Sequence, residues 1–79
     1  MPAIYFPDVP EYRPLIEAIS GQRGIQCSRA GGYVALASSG EIRVLRADTG
    51  LIEAVWFGAL VGGFEGRVAK FDDKELRIA

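Results

Sequence analysis

The sequence predicts an α+β fold: a mainly antiparallel five-stranded sheet with two helices on one face, in the order α-β-β-β-α-β-β. Three observations lead there. Apolar residues recur at helical spacing around residues 15–19 and again within 51–61. Elsewhere the period falls to two, as in half-buried strands. The connections between those strands are short and glycine-containing, which forces antiparallel pairing. Seventy-nine residues make one domain, 1–79, near the small end of what folds alone, so its core is thin.

Ala3 to Phe6 is an apolar segment fenced by Pro2 and Pro7. Proline removes a ladder donor, so residues 3–6 read as a short edge strand or an extended lead-in. Asp8 can cap the first helix, and Pro10 suits its opening turn. Leu15, Ile16, Ala18 and Ile19 then predict a helix over residues 10–20, with Gly21 as its stop.

From Gly24 the period is two. Gly24 to Arg29, Tyr33 to Ser38 and Glu41 to Ala47 read as three strands of a meander, joined by Gly31-Gly32 and Ser39-Gly40. Ile25, Cys27, Val34, Leu36, Ile42 and Val44 fall on the inner face. Asp48-Thr49-Gly50 ends the third strand. Leu51 to Val61, closed by Gly62-Gly63, reads as the second helix, although Val55, Trp56 and Phe57 alone favour a strand. Glu65 to Phe71 and Glu75 to Ile78 then form a hairpin turning at Asp72-Asp73-Lys74.

A four-residue phrase occurs three times: Glu41-Ile42-Arg43-Val44, Glu65-Gly66-Arg67-Val68 and Glu75-Leu76-Arg77-Ile78. Its spacing is irregular, so it is strand grammar rather than a repeat. Glu and Arg point to one face and the aliphatic residues to the other. All six charged residues are expected on a solvated face, each opposite-charge pair contributing roughly 0.2–1 kcal/mol.

The chain has no histidine and no asparagine. Histidine is the side chain best suited to move protons near pH 7, so Ser-His-Asp, Cys-His and histidine-bearing zinc sites are excluded. The single cysteine, Cys27, alternates with Ile25 and reads as a small buried hydrophobe; it has no internal disulfide partner. Asp72 and Asp73 could share a divalent ion, but at a hairpin tip aspartate is favoured for turn chemistry alone. Gly62-Gly63-Phe64-Glu65-Gly66 comes after a helix, whereas a phosphate cradle precedes one. No metal site and no cofactor are expected.

Net charge is −1, and the Glu-x-Arg alternation cancels the arginines locally, which argues against nucleic acid. There is no signal sequence and no apolar run near the ~20 residues a bilayer requires, so a cytoplasmic protein without membrane contact is expected. Hydrophobic residues make up 49% of the chain, more than so small a body readily hides. On the predicted helix Ile52, Val55, Trp56 and Ala59 face the sheet, leaving Phe57 and Leu60 near solvent with Phe64 just beyond. These three are assigned to the interface of a homodimer. The function read from the sequence is therefore a small non-catalytic interaction or accessory protein, acting as a homo-oligomer. The alternative is a small-molecule binder or modest enzyme with an apolar pocket between the Trp56 helix and the sheet, lined by Trp56 and Glu53.

Overall fold

Two antiparallel sheets share one core in the computed structural model, which describes residues 1–79. The elements are β1 (Ala3–Pro7), a 3-10 turn (Pro10–Tyr12), α1 (Arg13–Ser20), β2 (Ile25–Ala30), β3 (Tyr33–Ser38), β4 (Ile42–Leu45), α2 (Arg46–Thr49), α3 (Glu53–Trp56), β5 (Phe64–Glu65), β6 (Val68–Phe71) and β7 (Glu75–Ile78). The first sheet has the order β2-β3-β1-β5 and the second β4-β7-β6. The α+β class stands. The single five-stranded sheet with two helices does not: there are four- and three-stranded sheets and three short helices.

The division has a local cause at Ser39-Gly40, expected to be a hairpin turn. The Ser38 hydroxyl donates to the Glu41 carbonyl (3.1 Å) and accepts from the Gly40 amide (3.1 Å), so the chain turns away from β3. Residues 3–7 take the vacated place. β1 pairs with β3 from Ala3↔Ala37 to Pro7↔Tyr33 and with β5 through Ala3↔Glu65 and Ile4↔Phe64. Thus residues 3–6 are a central strand. The two prolines sit at or just outside its ends, where a missing donor costs little, and Pro2 lends its carbonyl to the Ser38 amide (2.9 Å).

The helix expected over residues 10–20 is present as a 3-10 turn running into α1, with Pro14 in the first turn. Leu15, Ile16 and Ile19 are buried beneath it. They meet Ile4 and Phe6 of β1, Val34 and Leu36 of β3, Ile42 and Val44 of β4, and Leu76 and Ile78 of β7 in one cluster. Both sheets therefore drain into the same core.

Two further expectations change. The third strand ends at Leu45, and Arg46–Thr49 turns as a helix that Gly50 closes at φ +69°. The helix predicted over 51–61 is regular only over Glu53–Trp56. Beyond it the bonds tighten to the i−3 type: Gly58 to Val55 (3.0 Å), Ala59 to Trp56 (3.0 Å) and Val61 to Gly58 (3.1 Å). Gly58 is the weak point, and the tightened path still carries Ala59 into the core beside Trp56 while Ile52, before the helix, is left exposed.

Candidate functional site

Residues 51–64 form a surface stretch held firmly from below. Trp56 is fully buried, and its indole Nε1 donates to the Asp72 carbonyl (2.6 Å), tying α3 to the β6–β7 turn. Phe71 tilts against Trp56 (ring centroids 5.9 Å apart), and Phe57 tilts against Phe71 (5.5 Å), so an aromatic ladder climbs from core to surface. Farther along, the Tyr12 hydroxyl donates to the Gly58 carbonyl (3.3 Å). The Tyr5 amide donates to the Gly63 carbonyl (3.0 Å). At Gly62 a Cβ would stand 2.3 Å from the Tyr5 carbonyl oxygen, so only glycine allows the chain to lie this close to β1.

On this fixed path Phe57 is 48% exposed, Phe64 40%, Ile52 69% and Val61 71%, while Leu60 is half-buried against the core. These side chains are exposed on a backbone held in place at Trp56, Gly58 and Gly63, and on so small a body such an apolar display is unusual. The sequence placed Phe57, Leu60 and Phe64 near solvent; Phe57 and Phe64 are exposed and Leu60 is half-buried. Ile52, assigned inward on a helix longer than the one that forms, is exposed, as is Val61.

Glu53 and Trp56 do not line a common cavity. The Glu53 side chain is solvated and lies 3.8 Å from Arg46, whereas Trp56 is sealed in the core. The larger surface groove, about 540 Å³, runs instead between α1 and α2 and is lined by Arg13, Glu17, Asp48 and Thr49 with two prolines. A second, about 280 Å³, lies beside Leu45, Asp73 and Lys74. The first is open and mostly polar, and the second is open and flanked by Arg46, Asp73 and Lys74, so neither is the apolar pocket between the Trp56 helix and the sheet.

Charge is concentrated on the outward face of the three-stranded sheet. Arg43 and Arg77 are directly opposed across β4 and β7, a repulsive placement. Glu75 resolves it: its carboxylate accepts from Arg43 Nε and from Arg77 Nη2 (3.0 Å), and Lys70 Nζ approaches to 3.2 Å. Glu75 is consequently buried, against the expectation that all six Glu-x-Arg charges are exposed; Arg77 is half-buried and the other four conform. The hydrogen bonds from Arg43 and Arg77 hold the Glu75 carboxyl at about 2, far below the usual carboxylate range. Glu75 in turn raises the Arg77 pKa.

Asp72 does turn chemistry. Its carboxylate accepts the amides of Lys74 (2.9 Å) and Glu75 (2.8 Å), and those bonds lower its pKa. No cluster of three or more metal-ligating side chains is present. Cys27, read as buried, is exposed: β2 is an edge strand in which only Ile25, at its start, packs against the core. Its neighbour Arg29 is occupied by Asp8 at 2.7 Å. No helix is long and apolar enough to cross a membrane.

No protein-family model and no curated protein matches the sequence. Among solved structures, a chain of the phenol hydroxylase–regulatory protein complex superposes with a TM-score of 0.80 over 98% of this chain and 94% of that one. Sequence identity is 16%, so the likeness establishes a shared fold: two small chains of nearly equal length, matched end to end.

Proposed function

We propose that this chain is a non-catalytic accessory protein that regulates an enzyme by docking on it, the partner being a hydroxylase of the kind named in the structure it resembles. The observation that carries the reading is the rigid apolar display of Ile52, Phe57, Val61 and Phe64, presented by a chain whose chemistry-bearing groups are committed to structure. Asp72 closes a turn, Glu75 neutralises two arginines and a lysine, and no histidine exists to relay a proton. Phe57, seated on Phe71 and through it on buried Trp56, makes a strong anchor, because little side-chain freedom remains to be lost on binding. The fold match to a chain of a hydroxylase–regulatory protein complex supports the same reading. Phe57, Leu60 and Phe64, assigned from sequence to a homodimer, serve here as the enzyme-docking surface.

The test is titration of the purified chain into an aromatic hydroxylase from the same source, with binding measured by calorimetry alongside turnover of the phenolic substrate. Turnover should change several-fold and saturate near stoichiometry, with the chain alone inactive. Phe57→Glu should abolish the effect while leaving the circular dichroism spectrum unchanged. Absence of binding, or full activity of Phe57→Glu, overturns the proposal.

A further inference from the structure

The seven strands leave four sheet edges, and three of them are closed. β5 is two residues long, hemmed between Gly62-Gly63 and Gly66. β6 is interrupted by a register shift between Val68 and Lys70 and carries that lysine. On β4 the Gln22 side chain donates to the Arg43 carbonyl (2.7 Å). These are the usual protections against unwanted strand pairing. β2 has the least: it runs for six residues without proline, lysine or bulge, carries a single charge at Arg29, which Asp8 of the same chain neutralises, and is exposed along almost its whole length. None of the backbone hydrogen bonds outside the sheets reaches residues 25–30.

The register states which groups are free. Ala30 and Tyr33 flank the two-residue Gly31-Gly32 turn, whose φ values are +59° and +81°, so they form a hydrogen-bonded pair. Alternation then directs the amides and carbonyls of Ser28 and Gln26 to β3, and those of Ile25, Cys27 and Arg29 outward. We propose that β2 pairs antiparallel with β2 of a second copy of this chain, across a two-fold axis at Cys27, joining the two four-stranded sheets into one.

That register uses every free group, giving about six interchain hydrogen bonds; moving the axis to Gln26 or Ser28 leaves about four. It also suits the charges. Arg29, the one charge in β2, faces Ile25 of the other copy rather than a second Arg29. Arg23, exposed and without an ion pair in its own chain, is brought to the far end of the other strand. There Asp8, whose amide donates to the Gly32 carbonyl (2.8 Å), already holds Arg29 of its own chain through Oδ2 (2.7 Å) and has its second carboxylate oxygen left for Arg23. The pairing stands independently of the enzyme-docking reading, since it uses a different surface.

Two Cys27 residues would then lie about 5.5 Å apart between Cα atoms on one face of the joined sheet. A short bis-maleimide should link native protein into a covalent dimer through Cys27, and light scattering should show concentration-dependent dimerisation. The amides of Cys27 and Arg29 should exchange more slowly as concentration rises. Cys27→Lys sets like charges face to face at an exposed position, so it should stay folded and raise the dimer Kd about tenfold or more. Phe57→Glu should leave the dimer intact. A monomer at every soluble concentration without cross-linking overturns the proposal. So does a dimer that survives Cys27→Lys but is lost in Phe57→Glu, or edge amides that gain protection only when the hydroxylase is added.

Discussion

On the outward side of the three-stranded sheet, Arg43, Arg77 and Lys70 close around Glu75, whereas the four-stranded sheet presents Gln26, Ser28, Ala35 and Ala37 there. One surface satisfies itself; the other leaves its hydrogen-bonding and apolar capacity for something else. The edges show the same division, with Gln22 closing β4 and nothing closing β2. Charge pairing and exposed, unpaired groups thus lie on different sheets of a molecule with a single core.

Removing the junction should have the largest effect. Trp56→Ala empties the centre of the shared core and severs the tie to Asp72, so it should cost about 3–5 kcal/mol in urea unfolding. Trp56→Phe should cost less, and equal losses for both would show that the hydrogen bond rather than the packing holds the halves together. Next comes Gly62→Ala, where the added methyl meets the Tyr5 carbonyl; about 1–3 kcal/mol is expected, with the 57–64 segment lifted from β1. Unchanged amide exchange at Tyr5 in that variant would contradict the close approach.

The third test concerns the self-satisfied sheet. An unfolded Glu titrates near 4.5, while folded Glu75 titrates at about 2. Below 4.5 the unfolded chain therefore takes up a proton that the folded chain refuses. Stability supplied by Glu75 is complete above pH 4.5 and is lost as pH falls toward 2. Glu75→Gln should flatten this part of the stability–pH curve, with a residual slope from Asp72, whose pKa is also lowered. An identical acid slope in wild type and variant would mean that the cluster contributes nothing.

Smaller effects are expected on the open half. Phe57→Glu should cost no more than about 1 kcal/mol of stability, the worth of its contact with Phe71, even as it abolishes the proposed enzyme docking. Arg29→Ala breaks an exposed pair with Asp8 and should change stability least, within about 1 kcal/mol by the same unfolding assay. A larger loss would place Arg29 among the groups that hold the four-stranded sheet together.

Periodicity identified strands β2, β3, β4 and β7, the α1 helix and the Asp72 turn, because each expresses its own local chemistry. It did not reveal that β3 takes β1 rather than β4 as its neighbour. That choice depends on one serine hydroxyl at position 38 and on which strand best buries Ile4 and Phe6, a competition between distant segments. Glu75 is the same kind of case. Its sequence environment matches that of Glu41, and only the convergence of cations from three strands distinguishes the buried carboxylate from the solvated one. Cys27 has the right alternation for burial, yet in its edge strand only Ile25 reaches the core. The aromatic display at Phe57 and Phe64 was legible, since glycines on either side limit how far a helix can carry those rings inward. Ile52 was not, because its exposure depends on where the helix starts.

β1 lies between β3 and β5, so the earliest strand in the chain is also the one that must wait. Ile4 can meet Leu36 once the β2–β3 hairpin exists, but its other neighbour, Phe64, arrives only after most of the sequence has been made. The β2–β3 hairpin is local, but both pairings of β1 span long stretches of sequence, which favours folding on the slow side for a domain of this length. During synthesis the Ile4-Tyr5-Phe6 segment would emerge before either partner strand and remain unsheltered until they follow. The prolines on either side of it then have a second use: they discourage that waiting strand from pairing with another nascent chain before its own partners appear.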